Sequence, residues 1–263
     1  MINIDKNLFL QHNKNIIAVT SGVGSMGKTW LAISLAHALN LLRKNVLLFD
    51  ADNGLLNINA QLGHDDSLLN DVIEEKIALH QAVYSVNKRK FDVISGLSGS
   101  NVLESTPLGR LQILCDDLWE TAHYYNQVIM DLPCSEKILN TFLTAETKCI
   151  LVCTKDPSNL VATYSFLQYM AEKYNHKNLQ IIINYANSYE EGMQTYNILK
   201  RACENFIKHT PSLLGVVRRD TRVRDVIRNN ALLFNRYPDC EAAEDIMQIA
   251  RKLLIQEENN TNE

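Results

Sequence analysis

The stretch Gly22-Val23-Gly24-Ser25-Met26-Gly27-Lys28-Thr29 carries the residue types that cradle a phosphate. It fits the pattern G-x-x-x-x-G-K-[ST]. Glycines open backbone conformations closed to other residues and let the chain approach a ligand closely. The loop then turns several N–H groups inward as an anion-binding nest. A helix starting at its end adds free N–H donors and a favourable dipole. In this arrangement Lys28 reaches the β- and γ-phosphates and the Thr29 hydroxyl holds Mg2+. The expected nucleotide contacts here are Gly22, Gly24, Ser25, Met26, Gly27, Lys28, Thr29 and Trp30.

Phosphoryl chemistry also needs carboxylates near the metal and a polar group that orients the attacking water. Asp50-Ala51-Asp52-Asn53-Gly54 follows the apolar run Val46 to Phe49. Asp50 suits the metal shell, and Asp52 suits the water. Asp131 ends a second apolar run, Gln127 to Met130, and suits Mg2+ as well. The expected metal set is Thr29, Asp50 and Asp131, and the expected catalytic pair is Asp52 and Lys28.

Such side chains meet only if the chain brings strand ends together. Asn15 to Thr20, Val46 to Phe49, Phe91 to Ile94, Gln127 to Met130, Cys149 to Cys153, Leu179 to Ile183 and Leu213 to Val217 read as buried strands. Helical spacing follows Lys28 to Leu42, Ser67 to Ala82, Leu108 to Ala122, Ser158 to Lys173, Glu190 to Phe206, Thr221 to Arg228 and Ala242 to Ile255. Alternating β and α elements predict an α/β fold, a mostly parallel twisted sheet with helices on both faces. Ligands of such sheets sit at the carboxyl ends of the strands. The glycine loop, Asp50, Asp131 and Asn184 all follow strand ends, so one site can collect them.

The chain has 263 residues, 46% of them hydrophobic, and a formal net charge of −4. That is enough apolar material for one large domain and gives no global attraction to nucleic acid or anionic lipid. The six cysteines form no C-x-x-C pair and read as reduced thiols. No apolar stretch approaches the roughly 20 residues of a membrane span. The expected location is the cytosol. The expected division is a short extension over 1–14, a single P-loop domain over 15–256 ending in an amphipathic helix, and a disordered tail over 257–263.

The run from Val19 to Thr29 and the run Leu47-Leu48-Phe49-Asp50-Ala51-Asp52-Asn53-Gly54-Leu55-Leu56-Asn57 resemble the MinD/ParA group of deviant Walker ATPases. Within that group the likeness is to flagellar-number regulators of the FlhG, or FleN, type. Ile183-Asn184-Tyr185-Ala186-Asn187 is similar to the segment around that group's base-contacting asparagine. Leu214-Gly215-Val216-Val217-Arg218-Arg219-Asp220 is similar to its stretch near the adenine and ribose. The resemblance implies contacts to ATP or ADP from Asn184, Arg219 and Asp220. It also implies an ATP-dependent homodimer and regulation of flagellar number or placement, acting with a flagellar GTPase or a transcription activator. A cell-division or cargo-positioning role of the MinD or ParA kind is the alternative, as is a nucleotide-gated scaffold with little catalysis.

The loop departs from the group's G-K-G-G-V-G-K-[ST] form, because Val23 stands where the first lysine is expected. In the group that lysine crosses to the partner's phosphates, so its loss implies slow hydrolysis. Ala242, Ala243, Ile246, Met247, Ala250, Leu253 and Leu254 form one apolar face over 242–255. That face suits either docking on the core or peripheral contact with the inner face of the cell membrane, the acidic neighbours favouring the core. Arg218, Arg219, Arg222, Arg224 and Arg228 are the densest basic cluster, but the negative overall charge makes DNA an unfavoured partner.

Overall fold

In the computed structural model the described residues are 15–261, except 53, 65–67, 87–89, 145–146, 175–177 and 208–209. The expected extension over 1–14 lies outside them. The strands are β1 (Ile16–Ser21), β2 (Val46–Asp50), β3 (Tyr84–Val86), β4 (Phe91–Ile94), β5 (Gln127–Asp131), β6 (Lys148–Thr154), β7 (Leu179–Ala186) and β8 (Ser212–Arg218). Between them run the helices α1 (Lys28–Leu41), α2 (Ile58–Leu62), α3 (Leu68–Ile73), α4 (Val102–Ser105), α5 (Leu108–Ala122) and α6 (Glu136–Phe142). The second half adds α7 (Pro157–Tyr174), α8 (Tyr189–Phe206), α9 (Thr221–Arg228), α10 (Leu233–Arg236) and α11 (Glu241–Thr261).

The strands form one eight-stranded sheet in the order β3-β4-β2-β5-β1-β6-β7-β8. Every neighbouring pair is parallel except β3 with β4. β1 lies between β5 and β6, where the strand order reverses, and the crevice at such a switch point is where ligands bind. Both faces are covered, so the central strands are apolar throughout. Ile16 and Ala18 pack with α5, α6 and α7 on one face, while Ile17 and Val19 pack with α1 and α11 on the other. Mostly parallel strands with helices on both faces are the architecture expected from the sequence.

Three expectations change. The segment 67–82 is not one helix. Residue 67 lies outside the described residues, α3 stops at Ile73, and Glu75 turns the chain at φ 61° before a single 3-10 turn at Leu79–Ala82. β3 was not expected, being only three residues long and paired with β4 alone. The segment 257–263 is not a disordered tail as far as it is described, because α11 continues to Thr261. Glu257 anchors it, accepting from Gln127 Nε2 at 2.6 Å and from Lys148 Nζ at 2.7 Å.

α11 also decides where its apolar face goes. Ala242, Ala243, Ile246, Ala250 and Leu253 are fully buried against α1 and β8. The face offered to lipid by the sequence pattern is thus spent on the core. Among the described residues no helix is long and apolar enough to cross a membrane.

Candidate functional site

β1 ends at Ser21 and α1 begins at Lys28, so the glycine loop joins a central strand to a helix N-terminus. Gly27 caps α1 at φ 83°, a left-handed conformation that glycine adopts without strain. Gly22 is needed for a different reason. A methyl group there would lie 2.5 Å from the Ala162 carbonyl oxygen of α7. Ser25 takes φ 64°, where a side chain costs about 1–2 kcal/mol. Met26 turns into the core and is fully buried.

A pocket of about 340 Å³ opens over this loop. Gly24, Ser25, Gly27, Lys28, Thr29 and Trp30 line one side, and Asp52 lies among its walls. Gly54, Leu56, Asn57, Gln61, Tyr185 and Ile227 complete it. The volume lies in the range of small-ligand sites.

The polar groups form two pairs. Lys28 is buried and its amine is 3.2 Å from Asp52 Oδ2. Thr29 Oγ1 donates to Asp131 Oδ2 at 2.6 Å. Asp50 sits beside Asp131 in the β2–β5 register and is fully buried. It accepts from the Ile58 N–H at 3.2 Å and from the Ser95 hydroxyl. Burial, and then the charge of Asp131, push Asp50 well above the usual carboxylate range. Burial also raises Asp131 to about 7, against the opposing pull of Lys28 and the Thr29 hydroxyl.

Asp52 and Asp131 therefore both face Lys28, with Asp50 beside Asp131. Asp131 Oδ1 is buried with no hydrogen-bond partner among the described residues. A divalent cation at Thr29 and Asp131 would meet that oxygen and relieve the crowding of negative charge, so the residues present fit Mg2+.

The structure does not bring every expected contact to the pocket. Gly22 and Met26 shape the loop from behind. Asn184 is buried and donates from Nδ2 to the Met26 carbonyl at 2.9 Å, bracing the loop. Arg219 is exposed, and its N–H donates to the Ala186 carbonyl at 2.7 Å. Asp220 caps α9, accepting from the Arg222 N–H at 2.9 Å. Val23, in the glycine loop, is 40% exposed and is not among the residues that line the pocket. In the basic cluster, Arg218 is taken up by Asp245, Glu241 and Glu244, and Arg222 by Asp220.

Sequence reasoning assigned no role to Tyr185, Gln61 or Ile227, which line the pocket. Tyr185 directly follows Asn184 near a strand end, but its turn into the pocket rests on a left-handed backbone angle. Gln61 and Ile227 lie on helices whose packing no local pattern reveals.

The model of the CobQ/CobB/MinD/ParA nucleotide-binding domain matches residues 17–233. The chain is 24% identical to the antiactivator FleN of Pseudomonas aeruginosa, over 94% of this chain and 89% of that protein. It is 25% identical to the flagellum site-determining protein YlxH of Helicobacter pylori, over 92% of this chain and 82% of that protein. Its fold resembles that of the septum site-determining protein MinD from Pyrococcus horikoshii, solved with Mg-ADP. The TM-score is 0.73 at 21% identity, covering 91% of this chain and 95% of that one. The glycine loop at the sheet's switch point and the match across most of the chain lead to one conclusion: the chain belongs to the CobQ/CobB/MinD/ParA nucleotide-binding family and is a P-loop ATPase of the MinD/ParA type.

Proposed function

We propose that this chain is a slowly hydrolysing ATP-dependent switch that regulates flagellar number or placement. The observation that supports the flagellar reading is the similarity to FleN and YlxH over most of each chain. The observation that carries the slow rate is Val23, exposed in the loop at the position where the family places a lysine. Gly24, Ser25, Gly27, Lys28 and Thr29 receive the phosphates, with the N-terminus of α1 supplying further N–H donors. Lys28 exchanges Asp52 for phosphate oxygen. Thr29 and Asp131 would hold Mg2+, with Asp50 beside Asp131 in the sheet, and the ion would supply charge neutralisation at the phosphates. Asp52, once free of Lys28, accepts a hydrogen bond from the attacking water and orients it.

Two molecules with ATP bound dimerise through this face, to which the exposed side chains of Leu55 and Leu56 (82% and 71%) would contribute apolar surface. The dimer then recruits a flagellar GTPase or transcription activator. The site of action is the cytoplasm. Deleting the gene in its own bacterium and counting flagella by electron microscopy tests the role. Altered number or position is expected, whereas unchanged flagella with misplaced septa would favour the cell-division alternative.

A further inference from the structure

Next to the nucleotide pocket lies a second, smaller cavity of about 10 Å³. Trp30, Ser34 and His37 of α1, Gln61 of α2 and Ile227 of α9 are among its walls. Trp30, Gln61 and Ile227 also line the nucleotide pocket, so the two spaces share a wall.

The polar groups of this cavity are out of keeping with a dry core. Trp30, His37 and Gln61 are 5%, 1% and 9% exposed. Trp30 Nε1, both ring nitrogens of His37 and Gln61 Oε1 are buried with no hydrogen-bond partner among the described residues. Buried polar groups left in that condition are destabilising. The set is complementary to a water molecule. The indole N–H only donates, the amide oxygen only accepts, and a neutral imidazole does one of each. Buried waters typically make about three hydrogen bonds, and a space of this volume holds about one of them and nothing larger.

Gln61 connects the cavity to the site. Its Nε2 donates to the Leu56 carbonyl at 2.9 Å. The segment Gly54 to Leu56, which follows Asp52, is also tied from outside, where the Gly99 N–H donates to the Gly54 carbonyl at 3.0 Å. An amide held at its oxygen keeps its nitrogen on that segment.

We propose that the cavity binds one structural water, which accepts from Trp30 Nε1 and donates to Gln61 Oε1 and to a ring nitrogen of His37. Gln61, held in this way, is a positioning residue for the segment Gly54 to Leu56. The water thereby links α1, which carries Lys28 and Thr29, to the chain that follows Asp52. The water site is independent of the proposed switch function, and only the turnover measurement below relies on ATPase activity.

The test is nuclear magnetic resonance on the isotope-labelled full chain, beside Gln61→Met and His37→Leu. The chain has two tryptophans, Trp30 and Trp119. The Trp30 indole proton is the one lost in Trp30→Phe or, should that variant not fold, the one retained in Trp119→Phe. In wild type it should show a cross-peak to water that differs in sign between NOESY and ROESY spectra, the mark of a bound water. No such cross-peak overturns the water site. Gln61→Met should speed exchange of the Gly99 amide by roughly 2- to 10-fold, the scale of one net hydrogen bond. His37 lies outside the nucleotide pocket, so His37→Leu acts only through the water and should shift Gly99 exchange in the same direction. ATP turnover of Gln61→Met should fall by a similar factor, while calorimetry with MgADP should find its affinity within about 2-fold of wild type, since the phosphate loop is untouched. Unchanged Gly99 exchange in both variants, or turnover and affinity falling together, overturns the positioning role. If Gln61→Met does not fold, the wild-type cross-peak and His37→Leu still decide.

Discussion

Lys28 and Asp52 hold each other 3.2 Å apart, so the lysine meant for phosphate already has an anionic partner. Nucleotide must displace that carboxylate. Asp52→Asn should therefore bind ATP roughly 1.5- to 5-fold more tightly, the scale of a partly exposed ion pair. The same variant should turn over more slowly, because an amide orients water less well than a carboxylate. Calorimetry beside a turnover assay checks both, and weaker ATP binding would show that the pair does not compete with phosphate. His37 makes a separate prediction. It is buried in α1 with both ring nitrogens lacking partners among the described residues. Burial, and then the nearby Lys90, lower its pKa from 6.5 to about 4. Above pH about 6.5 it is neutral in both folded and unfolded chains and does not perturb the balance. As pH falls from there towards 4, the unfolded chain takes up the proton and the folded chain does not. Stability should drop across that window by up to about 3 kcal/mol. Urea unfolding from pH 7 to pH 4 should show this slope, and His37→Leu should flatten it.

At the scale of elements, α11 is the informative case. Its apolar pattern is compatible with lipid or with a protein core, since both reward one apolar helix face. The structure seats Leu253 and Ile246, both fully buried, against the core. Leu253→Ala should accordingly cost about 2–5 kcal/mol of stability in thermal or urea unfolding. A helix held free for membrane would show almost no change. Lys28 and Thr29 could be picked out by the glycine-loop pattern, and Asp50 and Asp131 because each is a carboxylate placed where an apolar run ends. Their gathering at one end of the sheet then follows from the rule that parallel sheets bind ligands at the carboxyl ends of their strands, whereas the order of the strands was not read from the sequence. The placement of Tyr185 could not be read in this way. It depends on a register shift in β7 and a left-handed backbone angle, and neither leaves a mark in residue type. The break near Glu75 was hidden similarly, since apolar spacing continued across a turn that only tertiary packing imposes.

The whole molecule gathers its polar chemistry at one end of a sheet whose two faces are closed by helices. Asp50 and Asp131 can stay buried because strands on both sides fix them, and Lys28 and Thr29 are carried to them by a helix that starts beside β1. The central claim is an ATP switch slowed at Val23. The most direct measurement is steady-state ATP turnover of purified wild type beside Val23→Lys and Lys28→Ala. Slow wild-type turnover, a rise of roughly 10-fold or more in Val23→Lys, and no turnover in Lys28→Ala are expected, given that a cation aimed at the transferring phosphate is worth about 10³-fold or more elsewhere. Brisk turnover in the wild type, unchanged by Val23→Lys, would contradict the account.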